Sequence, residues 1–383
     1  MIVISARYRV PMRIAIYVHD MRASGVVRAM IALARALAEA GDDAVLVAGS
    51  SAGWFGAADV APARFVAATE RQAESRGQLR GVPALRRAIR AIAPDVVLSG
   101  GNHGHVSLWA ATRGLGIPRV FVFSNPMERA GQPIRNRWRM AKSATLIAAS
   151  ARSVVVGRNL ADDAAFSRGI AAGRVVLIRN GIARAGVAAS PVPAAMVDAV
   201  PTVLAVGRLT KQKNYEGLIA AIAAANRVRP MRLVVLGGGD AAYRDGLAAQ
   251  AAALGVGDRV LFAGVTDDVY PWLRAARVFA IASWWEGSSI ALLEAVDAGV
   301  PIVASTTAGD AVEVLDGGRY GLIVAPDDAE GFAAALLRQV GDDPVRPGDR
   351  ILAYDAGAMM RAYRALLVGV VEGAPVRTPT RSS

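Results

Sequence analysis

Short apolar runs of strand length alternate with segments of helix length along most of the chain, and this alternation restricts the fold more than any other feature. Such a pattern predicts βαβ units, in which parallel strands are joined by crossover helices. The pattern occurs as two series, one in each half of the sequence. We therefore predict an α/β protein built from two Rossmann-like, doubly wound domains.

Each series contains five candidate strands. In the first half they are Arg13–Val18, Ala44–Ala48, Val96–Leu98, Val120–Phe123 and Thr145–Ala149. In the second half they are Thr202–Val206, Arg232–Leu236, Val260–Phe262, Val278–Ile281 and Ile302–Ala304. Candidate helices such as Val26–Ala40 and Ala84–Ile92 separate them.

Neither period continues from Arg179 to Pro201, a segment rich in Ala and Pro that predicts a linker. The predicted boundaries are therefore 1–185 for the first domain, 186–354 for the second, and 355–383 for a last helix and tail. Open α/β sheets bind ligands beyond the carboxyl ends of their strands, so two such domains that face each other would form a central cleft.

Length and composition exclude several classes of protein. The 383 residues suffice for two hydrophobic cores. No apolar stretch approaches the roughly 18 residues needed to cross a bilayer, and the start of the sequence lacks the pattern of a secretory signal. The absence of cysteine excludes disulfides and thiolate metal sites, which is compatible with a cytoplasmic location.

The positive charge is concentrated in the first half. Residues 1–185 contain 26 Lys and Arg against 11 Asp and Glu, a net +15, whereas residues 186–383 contain 18 against 21, a net −3. No nucleic-acid-binding signature accompanies this charge, so we predict no nucleic acid partner. We predict instead an anionic membrane surface and a peripheral position on the inner face of the cell membrane. The alternative is a solvated, Arg-rich surface.

Two candidate surfaces carry this membrane prediction. Arg86, Arg87 and Arg90 occupy one predicted helix. The second surface surrounds Trp138, a residue type common at membrane interfaces. Its basic members are Arg135, Arg137, Arg139 and Lys142.

Two carboxylates, Glu286 and Glu294, lie on either side of a predicted strand-loop-helix junction. The helix begins near Ile290, after the turn Gly287-Ser288-Ser289. Free N–H groups and the helix dipole at such an end suit a diphosphate. The alternative interpretation is a solvated loop residue and an ordinary helix-surface residue.

The segment from Trp284 to Pro301 resembles the paired-glutamate signature of retaining GT-B glycosyltransferases. The chain as a whole is similar to family 4 of that group, most clearly over residues 178–333. Within that range, the loop after Val206 resembles the family's pyrophosphate loop, and the resemblance assigns the phosphate contacts to Arg208 and Lys213. The alternative for this loop is a basic surface turn.

The first half resembles the family less closely. Asp20 falls where relatives carry an acid near the reaction centre, although it could instead cap the following turn. Gly25 follows Ser24 where the family usually has two adjacent glycines. Asn125 stands in place of the usual histidine, and it can donate a hydrogen bond but cannot carry a proton. His103 is assigned a polar role near the sugar or acceptor, with a helix start as the alternative.

The resemblance implies a GT-B fold and transfer of a hexose from a nucleoside diphosphate sugar to an alcohol, with retained anomeric configuration. It implies no cofactor and no metal. The implied acceptor is a lipid-linked or polysaccharide-precursor glycan. Glu286 would orient the sugar, Glu294 would bind the ribose, and the helix start at Ser288, Ser289 and Ile290 would bind the diphosphate.

The sequence also leaves three other interpretations to compare. A nucleotide-sugar epimerase of the same fold would need acid and base residues that the sequence does not reveal. A non-catalytic sugar-nucleotide-binding module would explain the departures at Ser24 and Asn125. A dinucleotide oxidoreductase is disfavoured, because no G-x-G-x-x-G follows the first strand.

Overall fold

The protein folds around two separate parallel sheets. The computed structural model describes residues 11–69, 80–129, 131–183, 191–197 and 200–373. The first sheet has seven strands in the order β3-β2-β1-β4-β5-β6-β7, and the second has six in the order β10-β9-β8-β11-β12-β13. The predicted α/β class with two doubly wound, Rossmann-like domains is thereby confirmed.

The first sheet and its helices precede residue 178. Its strands are β1 Arg13–Val18, β2 Asp43–Ala48, β3 Arg64–Ala67, β4 Val96–Gly100, β5 Arg119–Phe123, β6 Arg152–Val155 and β7 Val175–Leu177. The helices are α1 Gly25–Glu39, α2 Ala57–Val60, α3 Val82–Ile92, α4 His105–Thr112, α5 Pro133–Ala148, α6 Arg158–Ala161 and α7 Ala164–Ala171.

The second sheet follows residue 201. Its strands are β8 Thr202–Val206, β9 Arg232–Leu236, β10 Val260–Gly264, β11 Val278–Ile281, β12 Ile302–Ser305 and β13 Leu322–Val324. The helices are α8 Tyr215–Asn226, α9 Ala241–Ala253, α10 Tyr270–Ala275, α11 Ile290–Asp297, α12 Ala311–Val314, α13 Ala329–Val340 and α14 Ala356–Val371. Within the described ranges, no helix is both long and apolar enough to span a bilayer.

The central strands form because parallel sheets covered on both faces need apolar residues at every position. In β1, the five residues from Ile14 to Val18 are all buried. Helix α1 covers this sheet with an apolar stripe that includes Val27, Met30 and Ile31. The helix begins at a defined residue because the Ser24 hydroxyl accepts a hydrogen bond from the Val27 N–H at 3.2 Å.

One predicted strand is wrong. The segment Thr145–Ala149 was predicted as a strand, but it forms the last turn of α5 and its cap. Leu146 and Ile147 bury the inner face of that helix, and a short apolar run of this kind cannot be distinguished from a buried strand by periodicity. The strand at this place in the sheet is β6, a few residues later.

The last helix belongs to the core of the first sheet. Met359, Tyr363 and Leu367 of α14 are buried in the cluster that contains β1 and β4. Arg364 donates to both carboxylate oxygens of Asp42, at 2.8 and 3.3 Å. The chain therefore crosses between the two sheets twice, once after β7 and once before α14.

We expect Arg364→Ala to lower the free energy of unfolding by about 3 kcal/mol, because the Asp42 side chain is only 1% exposed and would lose its charged partner. Arg361→Ala on the same helix is the matched control, since its pairing with Asp355 at 3.7 Å is solvent-exposed. Urea unfolding of both variants measures the difference. Equal stabilities would contradict a role for the Arg364 pair in anchoring α14.

Candidate active site

The helix start that was predicted to bind a diphosphate lies against the first domain. Helix α11 begins at Ile290, and the Ser289 hydroxyl accepts from the Leu292 N–H at 3.4 Å. A Cβ on Gly25, at the start of α1, would lie 3.3 Å from Cγ1 of Ile290. The two glycine-containing loops thus face each other across the cleft, at the carboxyl edges of both sheets.

Glu286 lies just before this helix and is held by a cation. The Lys213 ammonium is 2.6 Å from its Oε1, and the Ser283 hydroxyl donates to the same oxygen at 3.0 Å. Both Glu286 and Lys213 are largely buried. The structure therefore brings together the carboxylate assigned to the sugar and one of the cations assigned to the diphosphate.

Glu294 is buried on α11 and pairs with a residue of the first domain. Arg28 approaches its Oε1 at 3.4 Å through Nη1 and donates through Nη2 to the Thr266 carbonyl at 3.3 Å. Burial raises the pKa of Glu294 to about 7, although the charge of Arg28 opposes the rise. Arg28 was not predicted as a site residue, but it lies one turn after Gly25.

The loop between Glu286 and α11 is in direct contact with the first domain. A Cβ on Gly287 would lie 2.1 Å from the Ser124 carbonyl oxygen, so only glycine permits this approach. The Asn159 amide donates to the Glu286 carbonyl at 3.0 Å. These contacts fix the loop from both sides, and Asn159 is a second residue that the sequence did not reveal.

The second predicted phosphate cation, Arg208, is exposed after β8. It makes no ion pair with any described carboxylate. The loop that carries it is fixed to the glutamate loop by two hydrogen bonds. The Gln212 side-chain amide donates to the Trp285 carbonyl at 2.8 Å, and the Gln212 backbone carbonyl accepts from the Trp284 N–H, also at 2.8 Å. Arg208 is therefore available to an anionic ligand at the cleft.

Asp20 is paired locally rather than across the cleft. Burial alone would raise its pKa, but the hydrogen bonds and charge of Arg22 outweigh burial and hold the pKa below its usual value. Arg22 donates to Asp20 through its backbone N–H at 3.1 Å and through its side chain at 2.6 Å. Asp20 thus makes the local turn contact that was its alternative role, and no described contact joins it to either glutamate.

Asn125 and His103 line the same small cavity in the first domain. The Asn125 amide donates to the Ser124 hydroxyl at 3.4 Å. Burial lowers the pKa of His103, and the charges of His19, Arg208 and Lys142 lower it further. The neighbouring His105 is structural, because it is buried and its Nδ1 is hydrogen-bonded to the Ser99 hydroxyl at 2.9 Å.

Two sequence families match this chain, one on each side of the cleft. The family described as "Glycosyltransferase Family 4" matches residues 23–185, and "Glycosyl transferases group 1" matches residues 200–342. The chain belongs to the family 4, group 1 glycosyltransferases. The GT-B fold expected from the sequence is confirmed with this assignment.

Curated relatives match a part of this glycosyltransferase chain. It is 38% identical over 146 residues to the lipopolysaccharide core biosynthesis glycosyltransferase LpsE of Rhizobium meliloti, covering 38% of this chain and 41% of the relative. It is 32% identical over 164 residues to the mannosyltransferase LpsB of the same organism, covering 41% and 45%. The matched region therefore spans less than half the length of these relatives.

Solved structures share the fold over nearly the whole glycosyltransferase chain. Sucrose-phosphate synthase from Thermosynechococcus elongatus superposes with a TM-score of 0.79 at 20% identity, covering 94% of this chain and 99% of that one. HepE of Anabaena, solved with UDP and glucose, superposes with a TM-score of 0.73 at 17% identity, covering 94% and 100%. At these identities the likeness establishes the fold alone.

A buried carboxyl group lies behind the glutamate loop. Asp310 is 3% exposed, and neither carboxylate oxygen has a hydrogen-bond partner among the described residues. Burial raises the pKa of Asp310 to about 7 and the charge of Glu313 adds to the rise, whereas the nearby Ser288 hydroxyl, the Asp310 backbone N–H and the charge of Arg179 offset part of it. Asp310 is a third residue that the sequence analysis missed, because its burial depends on the contact between the domains.

The raised pKa of Asp310 makes stability depend on pH. The folded protein binds this proton more tightly than the unfolded chain between about pH 4 and pH 7, so stability falls as pH rises through that window. We expect Asp310→Asn to unfold at a higher temperature than the wild type at pH 8, with the difference shrinking towards pH 4. Thermal melts at both pH values measure it, and a pH-independent difference would contradict this assignment.

Proposed function

We propose that this chain transfers a hexose from a nucleoside diphosphate sugar to an alcohol on a glycan acceptor, with retention of the anomeric configuration and without a metal. The observation that carries the proposal is the placement of Glu286 with Lys213, and of Glu294 with Arg28, around the start of α11. Two acids beside two cations suit a ligand that presents hydroxyls and phosphates together.

The donor would lie across the start of α11. The free N–H groups near Ser288, Ser289 and Ile290 would receive the diphosphate, with Arg208 and Lys213 adding positive charge. Glu286 would accept hydrogen bonds from sugar hydroxyls, and Glu294 from the ribose. The Gly25 loop would close the site from the first domain, since a Cβ on Gly25 would lie only 3.3 Å from Cγ1 of Ile290.

In the proposed reaction, the bond between the anomeric carbon and the phosphate oxygen breaks as the bond to the acceptor oxygen forms on the same face. The departing phosphate oxygen accepts the proton of the acceptor hydroxyl, so the atoms balance without a protein nucleophile. The cations and the helix start stabilise the charge that develops on the leaving diphosphate. Asn125 and His103 would hold the sugar or the acceptor by hydrogen bonds.

The names of the relatives support a glycan acceptor. LpsE and LpsB are both named for lipopolysaccharide core biosynthesis. Another relative, from Campylobacter jejuni, is named for transfer to a diphospho-undecaprenol-linked sugar and is 31% identical over 160 residues. A panel of UDP-, GDP- and ADP-sugars would identify the donor. Interconversion of the sugar in place of transfer would favour the epimerase, and binding without turnover the non-catalytic module.

We expect Glu286→Gln to reduce transfer by at least about 100-fold while nucleoside diphosphate affinity changes little, because the carboxylate is assigned to the sugar.

Arg208→Ala should weaken nucleoside diphosphate binding by about tenfold or more, the effect of a lost charged hydrogen bond. Transfer assays in excess EDTA, in which the wild type should stay active, and calorimetry with UDP, GDP and ADP make both measurements.

Arg227→Ala is the matched control for Arg208, because it removes an equal charge from Arg227, which directly follows α8 and forms an exposed ion pair with Glu330. It should leave both readouts unchanged. Equal loss of transfer and of binding in Glu286→Gln would refute the separate roles. Loss of wild-type activity in EDTA that Mg²⁺ or Mn²⁺ restores would refute the metal-free reaction.

We also propose that the first domain binds an anionic membrane surface through the outward face of α5. Ile134 and Trp138 are separated by one turn on that face and are 73% and 75% exposed. Arg135 and Arg137 are exposed on the same helix. Apolar side chains flanked by basic ones are typical of interfacial helices. The α3 surface contributes less, since Arg86 donates to the Ala111 and Arg113 carbonyls at 2.9 and 2.8 Å.

The double variant Ile134→Ala/Trp138→Ala should lose most binding to vesicles that contain anionic lipid, because it removes the inserted side chains. Co-sedimentation at low and high salt measures this, and wild-type binding should weaken as salt screens the basic residues over about 8–10 Å. Val228→Ala, at a similarly exposed apolar residue of the second domain, is the control. Equal binding to neutral vesicles would contradict the electrostatic part of the proposal.

A further inference from the structure

A cavity of about 170 Å³ lies at the carboxyl edge of the first sheet, beside the cleft. A water molecule in the liquid takes up roughly 30 Å³, so the cavity has room for a group larger than one water. Its lining comes from the segments after β4 and β5 and from the inner face of α5. The lining residues are Asn102, His103, His105, Phe123, Asn125, Met127, Arg129, Arg139, Lys142, Ser143 and Leu146.

Three of these residues carry positive charge, and no carboxylate lines the cavity. Among the residues that the structure describes, no acidic side chain forms an ion pair with Arg129, Arg139 or Lys142. Arg139 donates only to neutral oxygens, namely the Met127 carbonyl at 2.8 Å, the Gln132 amide at 3.1 Å and the Asn136 amide. The positive charge of the cavity is therefore not balanced by an ion pair with any acidic side chain in the described part of the chain.

Arg129 offers an unused hydrogen-bond donor. Its Nε is buried and has no partner among the described residues, which is costly for a charged group. Its guanidinium lies over the ring of Trp285, the residue before Glu286, at 4.8 Å from the ring centroid. Burial and the nearby charge of Arg139 lower the pKa of Arg129, and burial lowers that of Lys142.

The periodicity of α5 explains how one helix supplies both surfaces. Arg139, Lys142, Ser143 and Leu146 follow the i, i+3, i+4, i+7 spacing of a single helix face, and all four line the cavity. Ile134 and Trp138 occupy the exposed face. Arg139 and Lys142, two of the four basic residues that the sequence places around Trp138, therefore line the cavity, and Lys142 is also exposed to solvent.

We infer that this cavity binds a phosphate or diphosphate group of the acceptor, held by Arg129, Arg139 and Lys142. Phosphate oxygens can accept from several donors at once, and a charge near −2 matches a site with three uncompensated cations better than a single carboxylate does. Asn125 and His103 would separate this group from the leaving diphosphate at Arg208, whose charge acts on His103. The inference rests on the proposed function, because it treats the cleft as the place of transfer.

The test measures the binding of a second anion to protein whose donor site is already occupied by a nucleotide. The full chain is first saturated with whichever of UDP, GDP or ADP binds, and inorganic pyrophosphate is then titrated at constant ionic strength by calorimetry. We expect one further equivalent to bind to the wild type. Arg129→Gln and Lys142→Gln should each weaken that step by about tenfold or more, with nucleotide affinity unchanged.

The controls separate a charge effect from a local one. Arg168→Gln removes the same charge from an exposed position of α7 outside the cavity and should leave the second step unchanged. Lys142→Arg should restore most of the affinity that Lys142→Gln loses, which a variant that merely disturbs folding would not allow. If nucleotide binds but pyrophosphate adds no second step, the inference is overturned; if no nucleotide binds, the proposed function fails instead.

Competition identifies the source of the phosphate. Farnesyl diphosphate represents a lipid-linked diphosphate, and mannose 6-phosphate represents a phosphorylated sugar. Displacement of pyrophosphate by either compound supports an acceptor phosphate and indicates which kind the cavity prefers. Displacement by neither, or equal displacement by sodium glucuronate, a sugar that carries a carboxylate, would overturn the assignment of a phosphate group.

Discussion

The contact between the glutamate loop of the second domain and the carboxyl edge of the first sheet is the constraint on which the rest of the cleft depends. Gly287 approaches the Ser124 carbonyl where any side chain would collide, and Asn159 binds the Glu286 carbonyl. Because backbone meets backbone here, the positions of Glu286, Ser288 and the start of α11 are set relative to the first domain.

Charge in the cleft follows from that contact. Glu286 and Lys213 come from one domain, whereas Arg28 reaches Glu294 from the other, and each carboxylate is buried beside a cation. Buried ion pairs contribute little net stability, so their presence around a cleft is more readily explained by ligand binding. A sugar nucleotide could replace these internal contacts with its own hydroxyls and phosphates.

Helix α5 contributes to both the proposed phosphate cavity and the proposed membrane-binding surface. It places Arg139 and Lys142 at the cavity, where no acidic side chain among the described residues pairs with them, and it exposes Ile134 and Trp138 to solvent. A membrane on the outer face would lie one helix diameter, about 10–12 Å, from a cavity suited to an acceptor phosphate. Such a short distance would suit an acceptor whose phosphate lies near the membrane surface.

The sequence by itself determined most of the fold. Strands such as Thr202–Val206 and Val278–Ile281 were predicted with their observed bounds, and α11 was predicted to begin near Ile290 after a turn, because periodicity and turn composition are local properties. The strand predicted at Thr145–Ala149 failed because a short apolar run suits either a strand or the buried side of a helix. The paired glutamates were also visible, since they lie eight residues apart on one junction.

Only the tertiary structure decided what those residues contact. Arg28 and Glu294 are 266 residues apart in sequence, and Asn159 and Glu286 are 127 apart, so no local pattern could pair them. The burial of Asp310 and the position of Arg139 and Lys142 at the cavity likewise depend on elements from distant parts of the chain. Local sequence fixes the period and ends of an element, whereas the partners of a charged side chain are fixed by how the two domains pack.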